Sequence, residues 1–325
     1  MPVRPALSRV RSAVAVTVMA LAMPAAMAWT NKPVRVLVPA PAGGTMDVMA
    51  RLLADQLTTD LGQPVVVDNK PGAGGAIAIN AMLSAPADGQ TIMVATSNVL
   101  TEIPLVMKVP YDPMADVRPV AAVAKTTLVL VSSPKLPAND LPGLISYAKA
   151  HPGTLSFATY GIGTVAHYAG MIMNQKAGMD LRHVPFPGSP PALTQVMGNQ
   201  IPVMFDGNVT SLPYIRAGKL RAYAVAEKER SPLLPGVPTF TELGYPELVF
   251  HNSLGVFVSA KVPAELVEKI RTAVYKAASP AKVQERIAEL GFEAIPAQTV
   301  ASLGRELRTE YERNAAIVKR FDIKP

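Results

Sequence analysis

The chain is predicted to be an α/β protein with parallel sheets covered on both faces, and three observations predict it. Short β-branched runs alternate with longer amphipathic stretches along nearly the whole sequence, the pattern of repeated βα units. Glycine-rich segments follow several of the apolar runs and open the next helical pattern, on the side of such a sheet where ligands bind. Prolines crowd two places: Pro110, Pro113, Pro119, Pro134 and Pro137, then Pro232, Pro235, Pro238 and Pro246. Two crossings between two lobes explain both clusters.

The N-terminal stretch 1–28 carries Arg4, Arg9 and Arg11, the apolar run 13–22 and then Ala26-Met27-Ala28. This reads as a secretory signal peptide with an A-x-A cleavage site, because the run is well short of the roughly 20 residues a membrane span needs. The mature chain is then expected to begin at Trp29. Of the 325 residues, 31 are basic and 24 acidic, a net charge of +7 to which the leader arginines contribute. No basic run with interleaved aromatics appears, so nucleic acid is not an expected partner. Cysteine is absent, which removes disulfides and thiolate metal sites and suits an oxidising compartment. A bacterial periplasmic location fits these features.

Strands are expected at 34–38, 65–68, 92–95, 128–131, 155–158, 203–205, 222–226 and 255–258, each a short β-branched or apolar run. Helices are expected at 47–61, 74–84, 141–150, 165–177, 191–197, 264–278, 281–290 and 300–321. The clearest is 47–61, where Val48, Leu52, Leu53, Gln56, Leu57 and Leu61 mark one face at a spacing of three to four.

The loop Pro39-Ala40-Pro41-Ala42-Gly43-Gly44-Thr45-Met46-Asp47 joins the first strand to that helix. A glycine-rich strand-to-helix junction aims free backbone N–H groups and the positive end of a helix dipole at one point, which suits an anion. Paired glycines alone also fit an ordinary tight turn. The P-loop and Rossmann spacings are both absent. Asn69-Lys70-Pro71-Gly72-Ala73-Gly74-Gly75 forms a second such junction, and Thr96-Ser97-Asn98 adds hydroxyl and amide groups at the same sheet edge. The second half offers Tyr160-Gly161-Ile162-Gly163-Thr164 with His167 just beyond, and Phe186-Pro187-Gly188-Ser189-Pro190-Pro191-Ala192. Asp206-Gly207-Asn208 also follows a strand, although turn is the default for that tripeptide. A lone helical histidine such as His167 serves more often as a structural hydrogen bonder than as a catalyst.

With these motifs in order, the chain resembles the Bug-type periplasmic substrate-binding proteins of tripartite tricarboxylate transporters. The resemblance rests on Lys32-Pro33-Val34-Arg35 with the 39–47 loop, and on the run from Leu61-Gly62-Gln63-Pro64 through Gly75. It continues in Ala87-Asp88-Gly89-Gln90-Thr91, Pro110-Tyr111-Asp112-Pro113, His183-Val184-Pro185-Phe186, Ile215 to Arg221 and Arg230 to Pro235. It implies a type II periplasmic-binding-protein fold with two α/β lobes and two crossing hinge segments, lobe 1 comprising 29–125 and 248–325 and lobe 2 comprising 126–247. It also implies capture of a small organic carboxylate in the cleft and delivery to membrane permease subunits, by a monomer without cofactor, metal or catalysis. One ligand carboxylate would meet the loop Tyr160, Gly161, Ile162, Gly163 and Thr164. The other end would meet Ala42, Gly43, Gly44, Thr45, Asp47 and the neighbourhood of Ala73. Further candidate contacts are Thr96, Ser97, Asn98, His167, Phe186, Ser189, Ala192, Asp206 and Asn208.

Several departures from the family pattern fall at this site. Phe186-Pro187-Gly188 stands where Tyr-Lys-Gly is usual, Ile162 where a polar residue is common, and Val165-Ala166 where small hydroxyl residues are common. The second-lobe wall is therefore expected to be more apolar, suiting a ligand with an apolar or aromatic body between polar ends. Asp47 is expected in the first helical turn, bonding loop N–H groups, since a carboxylate beside an anion repels it. Two other classes remain open on the residues: a ligand sensor signalling to a membrane receptor, and a hydrolase assembled from Ser97, Ser189 or Thr164 with His167 and Asp206. The G-x-S-x-G and H-E-x-x-H patterns are absent.

Overall fold

The structure is a computed structural model describing residues 29–325; the expected signal peptide lies outside the described residues. The first lobe begins with β1 (Val34–Val38), α1 (Thr45–Leu61), β2 (Val65–Asn69), α2 (Ala76–Leu83) and β3 (Thr91–Thr96). Two short helices, α3 (Asn98–Thr101) and α4 (Ile103–Val106), lead to the long strand β4 (Val117–Ser132). The second lobe follows as α5 (Leu141–Ala150), β5 (Ser156–Thr159), α6 (Val165–Ala177), β6 (Arg182–Pro185), α7 (Ser189–Met197), β7 (Val203–Gly207), α8 (Asn208–Arg216) and β8 (Arg221–Val225). The chain returns through β9 (His251–Ser259) and finishes with α9 (Ala264–Ala278), α10 (Ala281–Glu289), β10 (Glu293–Ala294) and α11 (Val300–Phe321).

The strands join in the order β2-β1-β3-β9-β4-β7-β5-β6, with β8 and β10 also pairing β4. β1 is parallel to β2 and β3, and β5 is parallel to β6 and β7, as the βα alternation requires. The centre differs from the all-parallel expectation: β9 runs antiparallel to both β3 and β4, and β4 antiparallel to β7 and β8. A strand leading out of the first lobe and one returning to it necessarily run in opposite directions. β4 is also far longer than the expected 128–131, because its first half pairs with β9 and its second half with β7 and β8. Pro119 sits within it at a register shift between Pro119 and Ala121, where a missing N–H is tolerated.

Both faces of each parallel group are covered. Val34, Val36 and Val38 pack with Leu53, Val94 and Ile270 on one side, while Leu37 packs with Ile79 and Met93 on the other, the period-two alternation of a doubly buried strand. In the second lobe Leu130, Phe157 and Phe205 share one cluster, and Val129, Val131 and Met204 the other. α1 stops where Gly62 takes a left-handed conformation and its N–H bonds Thr58 O at 3.0 Å, a glycine C-terminal cap. α11 ties the lobes together: Leu307 packs in the first lobe, whereas Phe321 and Ile323 join the second-lobe cluster. Strand β6 and helix α8 were not expected; Pro185 closes the former and Pro213 lies inside the latter, and both prolines conceal the periodicity.

Candidate functional site

A cavity of about 280 Å³ lies between the lobes, outside the carboxyl ends of the strands. Its wall is built from the loops after β1, β2 and β3, the loops after β5 and β6, and the hinge residues Thr126 to Leu128 with Phe250 and Asn252. Four helices begin at this wall, α1 after Gly44, α2 after Gly75, α6 after Thr164 and α7 after Gly188, and none has a side-chain cap bond. Uncapped N-termini leave backbone N–H groups free at α1, α2 and α6, which favours an anion, whereas Pro190 and Pro191 in the first turn of α7 carry none. Among the described residues no charged side chain lines the cavity, and Ile103, Met107, Ile162, Phe186 and Phe250 make much of its surface apolar.

The sequence candidates divide by position. Gly44, Thr45, Ala73, Thr96, Asn98, Tyr160, Gly161, Ile162, Thr164, Phe186 and Ser189 line the cavity. Ala42, Gly43, Asp47, Ser97, Gly163, His167, Ala192, Asp206 and Asn208 do not; Ala42 is exposed on the loop, and the others bond or pack elsewhere. The Gly43 N–H donates to Asp47 Oδ2 at 2.8 Å, and the Gly44 N–H donates to Pro41 O at 3.1 Å. Those two N–H groups are thus consumed inside the loop, and the open donors lie at the start of α1. Asp47 is buried and also accepts from Arg51 Nε at 3.0 Å and Asn69 Nδ2 at 2.9 Å. Burial pushes its pKa up, but the bonds from Arg51, Gly43 and Asn69 prevail and hold it below the usual value. Asp47 therefore braces the loop from behind.

In the second lobe, the Thr164 hydroxyl donates to Gly161 O at 2.8 Å, and the Gly163 N–H donates to His167 Nδ1 at 3.3 Å. His167 stacks on His183 with ring centroids 4.2 Å apart, and His183 Nε2 meets the Thr159 hydroxyl at 2.7 Å. Burial lowers the pKa of His167 to about 4, and burial with the neighbouring His167 lowers that of His183 to about 3. The neutral pair supports the loop from below. Ala192 belongs to the core under α7. Asp206 accepts from Thr210 and Ser211, each at 2.6 Å, and Asn208 Nδ2 donates to Gly291 O at 2.6 Å. The 206–208 segment is a strand end and helix start, not the turn its composition suggests. Ser97 Oγ donates to Glu310 Oε1 at 2.9 Å.

The opposing jaws touch. A Cβ on Gly163 would lie 2.5 Å from Val106 Cγ2, and one on Gly188 would lie 2.5 Å from Pro41 Cγ. Ala73 takes φ +47 between glycines that are also left-handed, a strained conformation for alanine and of the kind that concentrates at binding sites. Sequence reasoning missed Pro41, Ile103, Met107, Thr126 and Thr127 as wall residues. Pro41 sat within a named loop; Ile103 and Met107 carry no sequence signal. Among the described residues no group of three His, Cys, Asp or Glu side chains is placed to hold a metal.

An interlobe cleft ringed by helix N-termini defines a solute-binding protein of the type II class. The sequence profile described as tripartite tricarboxylate transporter family receptor matches residues 49–323, and the chain belongs to that family. The chain is 35% identical over 282 residues to protein BugT of Bordetella pertussis, covering 85% of this chain and 86% of that protein. A Rhodopseudomonas palustris protein solved with adipate superimposes with a TM-score of 0.87 at 29% identity, covering 91% of this chain and 99% of that one. MatC of Rhodopseudomonas palustris, solved with bound malate, gives 0.84 at 31% identity, with 89% and 99% covered.

Proposed function

We propose that this protein captures a small organic carboxylate with an apolar or aromatic body in the periplasm and delivers it to the membrane subunits of a tripartite transporter. The observation that carries the reading is a wall combining free helix N-termini with apolar side chains and, among the described residues, no charged side chain. Micromolar affinity requires about 8 kcal/mol. Two helix ends supply roughly 0.3 to 2 kcal/mol each, and three or four charge-assisted hydrogen bonds supply roughly 1.5 to 3 kcal/mol each. An arginine clamp is unnecessary. The relatives solved with adipate and malate support a carboxylate as the ligand class. The proposed lobes are 29–125 with 248–325, and 126–247, turning about β4 and the return into β9.

The role is binding without turnover. His167 Nδ1 accepts from Gly163, Ser97 donates to Glu310, and Asp206 accepts from Thr210, Ser211 and Ser189, so the histidine of a hydrolase set is bonded to none of its serines, threonine or aspartate among the described residues. A thermal-shift screen of mono-, di- and tricarboxylates, aromatic acids included, tests the reading. Adipate and aromatic acids are expected to raise the melting temperature more than citrate does. A preference for citrate would refute the apolar-body assignment, and hydrolysis of simple esters would refute the binding-only role. Mass analysis of the exported protein is expected to show a chain beginning at Trp29.

A further inference from the structure

We infer that Glu102 shares the N-terminus of α6 with the anionic end of the ligand, so that Glu102 must be protonated for the anion to bind. The inference rests on the carboxylate reading of this cleft and adds a residue that sets affinity there.

Glu102 lies between α3 and α4 in the first lobe and is 1% exposed. Its Oε1 accepts from Asn252 Nδ2 at 2.8 Å, while Oε2 has no hydrogen-bond partner among the described residues. Asn252 and Val165 are both wall residues of the cavity, and the Val165 N–H, in the first turn of α6, is near enough to favour the charged form of Glu102. The carboxyl therefore lies one layer behind the cavity wall, bonded to the wall residue Asn252, and Glu102 itself does not line the cavity. Tyr168 of α6 secures the same junction by donating from its hydroxyl to Glu102 O at 2.9 Å. The next N–H, that of Ala166, favours the ionised form of the Tyr160 hydroxyl.

An anion brought to this helix end meets whatever charge Glu102 carries. The groups facing Glu102 are Glu310 and Arg313 on α11, Asn252 on β9, Tyr168 and the Val165 N–H on α6, and Tyr160 on the loop after β5. Burial and then the Glu310 charge push the Glu102 pKa up to about 8, against the opposing pull of Asn252, Arg313 and Val165. Near neutral pH the group is predominantly a neutral acid behind the wall and places no charge beside the helix end. Above that value it becomes an uncompensated buried carboxylate beside the ligand.

The sign follows directly. Raising pH ionises Glu102 and repels a carboxylate ligand, so affinity is flat from about pH 6 to 8 and falls roughly tenfold per pH unit above that. Isothermal titration of adipate, malate and hexanoate into the protein and into Glu102→Gln, from about pH 6 to about pH 10, tests this. The native protein is expected to lose roughly a hundredfold in affinity by the alkaline limit, while Glu102→Gln stays flat. A variant-free measurement stands beside it: titration of the native protein near pH 9 in buffers of different ionisation enthalpy is expected to show uptake of about one proton per ligand. Binding of any of the three acids with no alkaline loss and no proton uptake overturns the inference and leaves the carboxylate reading standing. An equal alkaline loss in Glu102→Gln assigns the titration to another group and also overturns it. No binding of any of the three at any pH refutes the carboxylate reading and this inference together.

Discussion

Replacing Gly163 by alanine separates closure of the cleft from folding of the loop. Gly163 has φ +74, and an added Cβ would stand 2.5 Å from Val106 Cγ2 and 3.1 Å from Ile103 Cα, both in the first lobe. The left-handed backbone costs alanine about 1 kcal/mol whether the lobes are together or apart. The clash exists only when they meet and adds roughly 1 to 3 kcal/mol of overpacking. Since 1.4 kcal/mol is a factor of ten, binding is expected to weaken by roughly 5- to 150-fold. Gly43→Ala is the internal control: its φ is +77, yet nothing lies within 4 Å of the new Cβ. Both variants are expected to lose about 2 to 4 °C of melting temperature, but only Gly163→Ala is expected to weaken adipate binding measured by calorimetry. Equal dissociation constants for the two variants would refute the claim that the jaws meet at Gly163 in the bound state.

Asp47→Asn is expected to lower stability by roughly 1 to 2 kcal/mol in chemical denaturation while leaving ligand affinity nearly unchanged, because Asp47 lies behind the loop. Its folded pKa lies below the ordinary carboxylate value, so its contribution is present at neutral pH and lost as pH falls through that folded value. Asp47→Asn should remove that acid-side dependence, and a selective loss of affinity would contradict the assignment. His167 and His183 act over a different window. Their folded pKa values of about 4 and 3 lie below the ordinary 6.5. Unfolded chains therefore take up protons first as pH falls from 6.5 toward 4. Stability is expected to decline across that range by up to about 1.4 kcal/mol per pH unit for each histidine, and His167→Gln should reduce the slope measured by urea denaturation.

The loops after β1, β2, β5 and β6 were legible in the sequence because glycine and proline at strand-to-helix junctions are dictated by local backbone geometry. That local signal also named Thr45, Ala73, Tyr160, Gly161, Ile162, Thr164, Phe186 and Ser189, all of which reach the cavity wall. Gly43, His167, Asp206 and Asn208 stand next to such junctions, but their polar groups bond within the protein. Spacing along the chain cannot distinguish a donor aimed at the cleft from one aimed at a neighbour.

The sequence by itself determined the α/β class, the family and the positions of the loops that line the cavity, since each is written in residues adjacent along the chain. Only the tertiary structure decided which donors remain free, that β4 and β9 pair antiparallel through the hinge, and that Glu102 is buried against Asn252. Those outcomes depend on contacts between residues far apart in the chain, such as Asn252 with Glu102 and Gly163 with Val106. Burial, which shifts a pKa or turns a small side chain into a contact, exists only after the two lobes have packed.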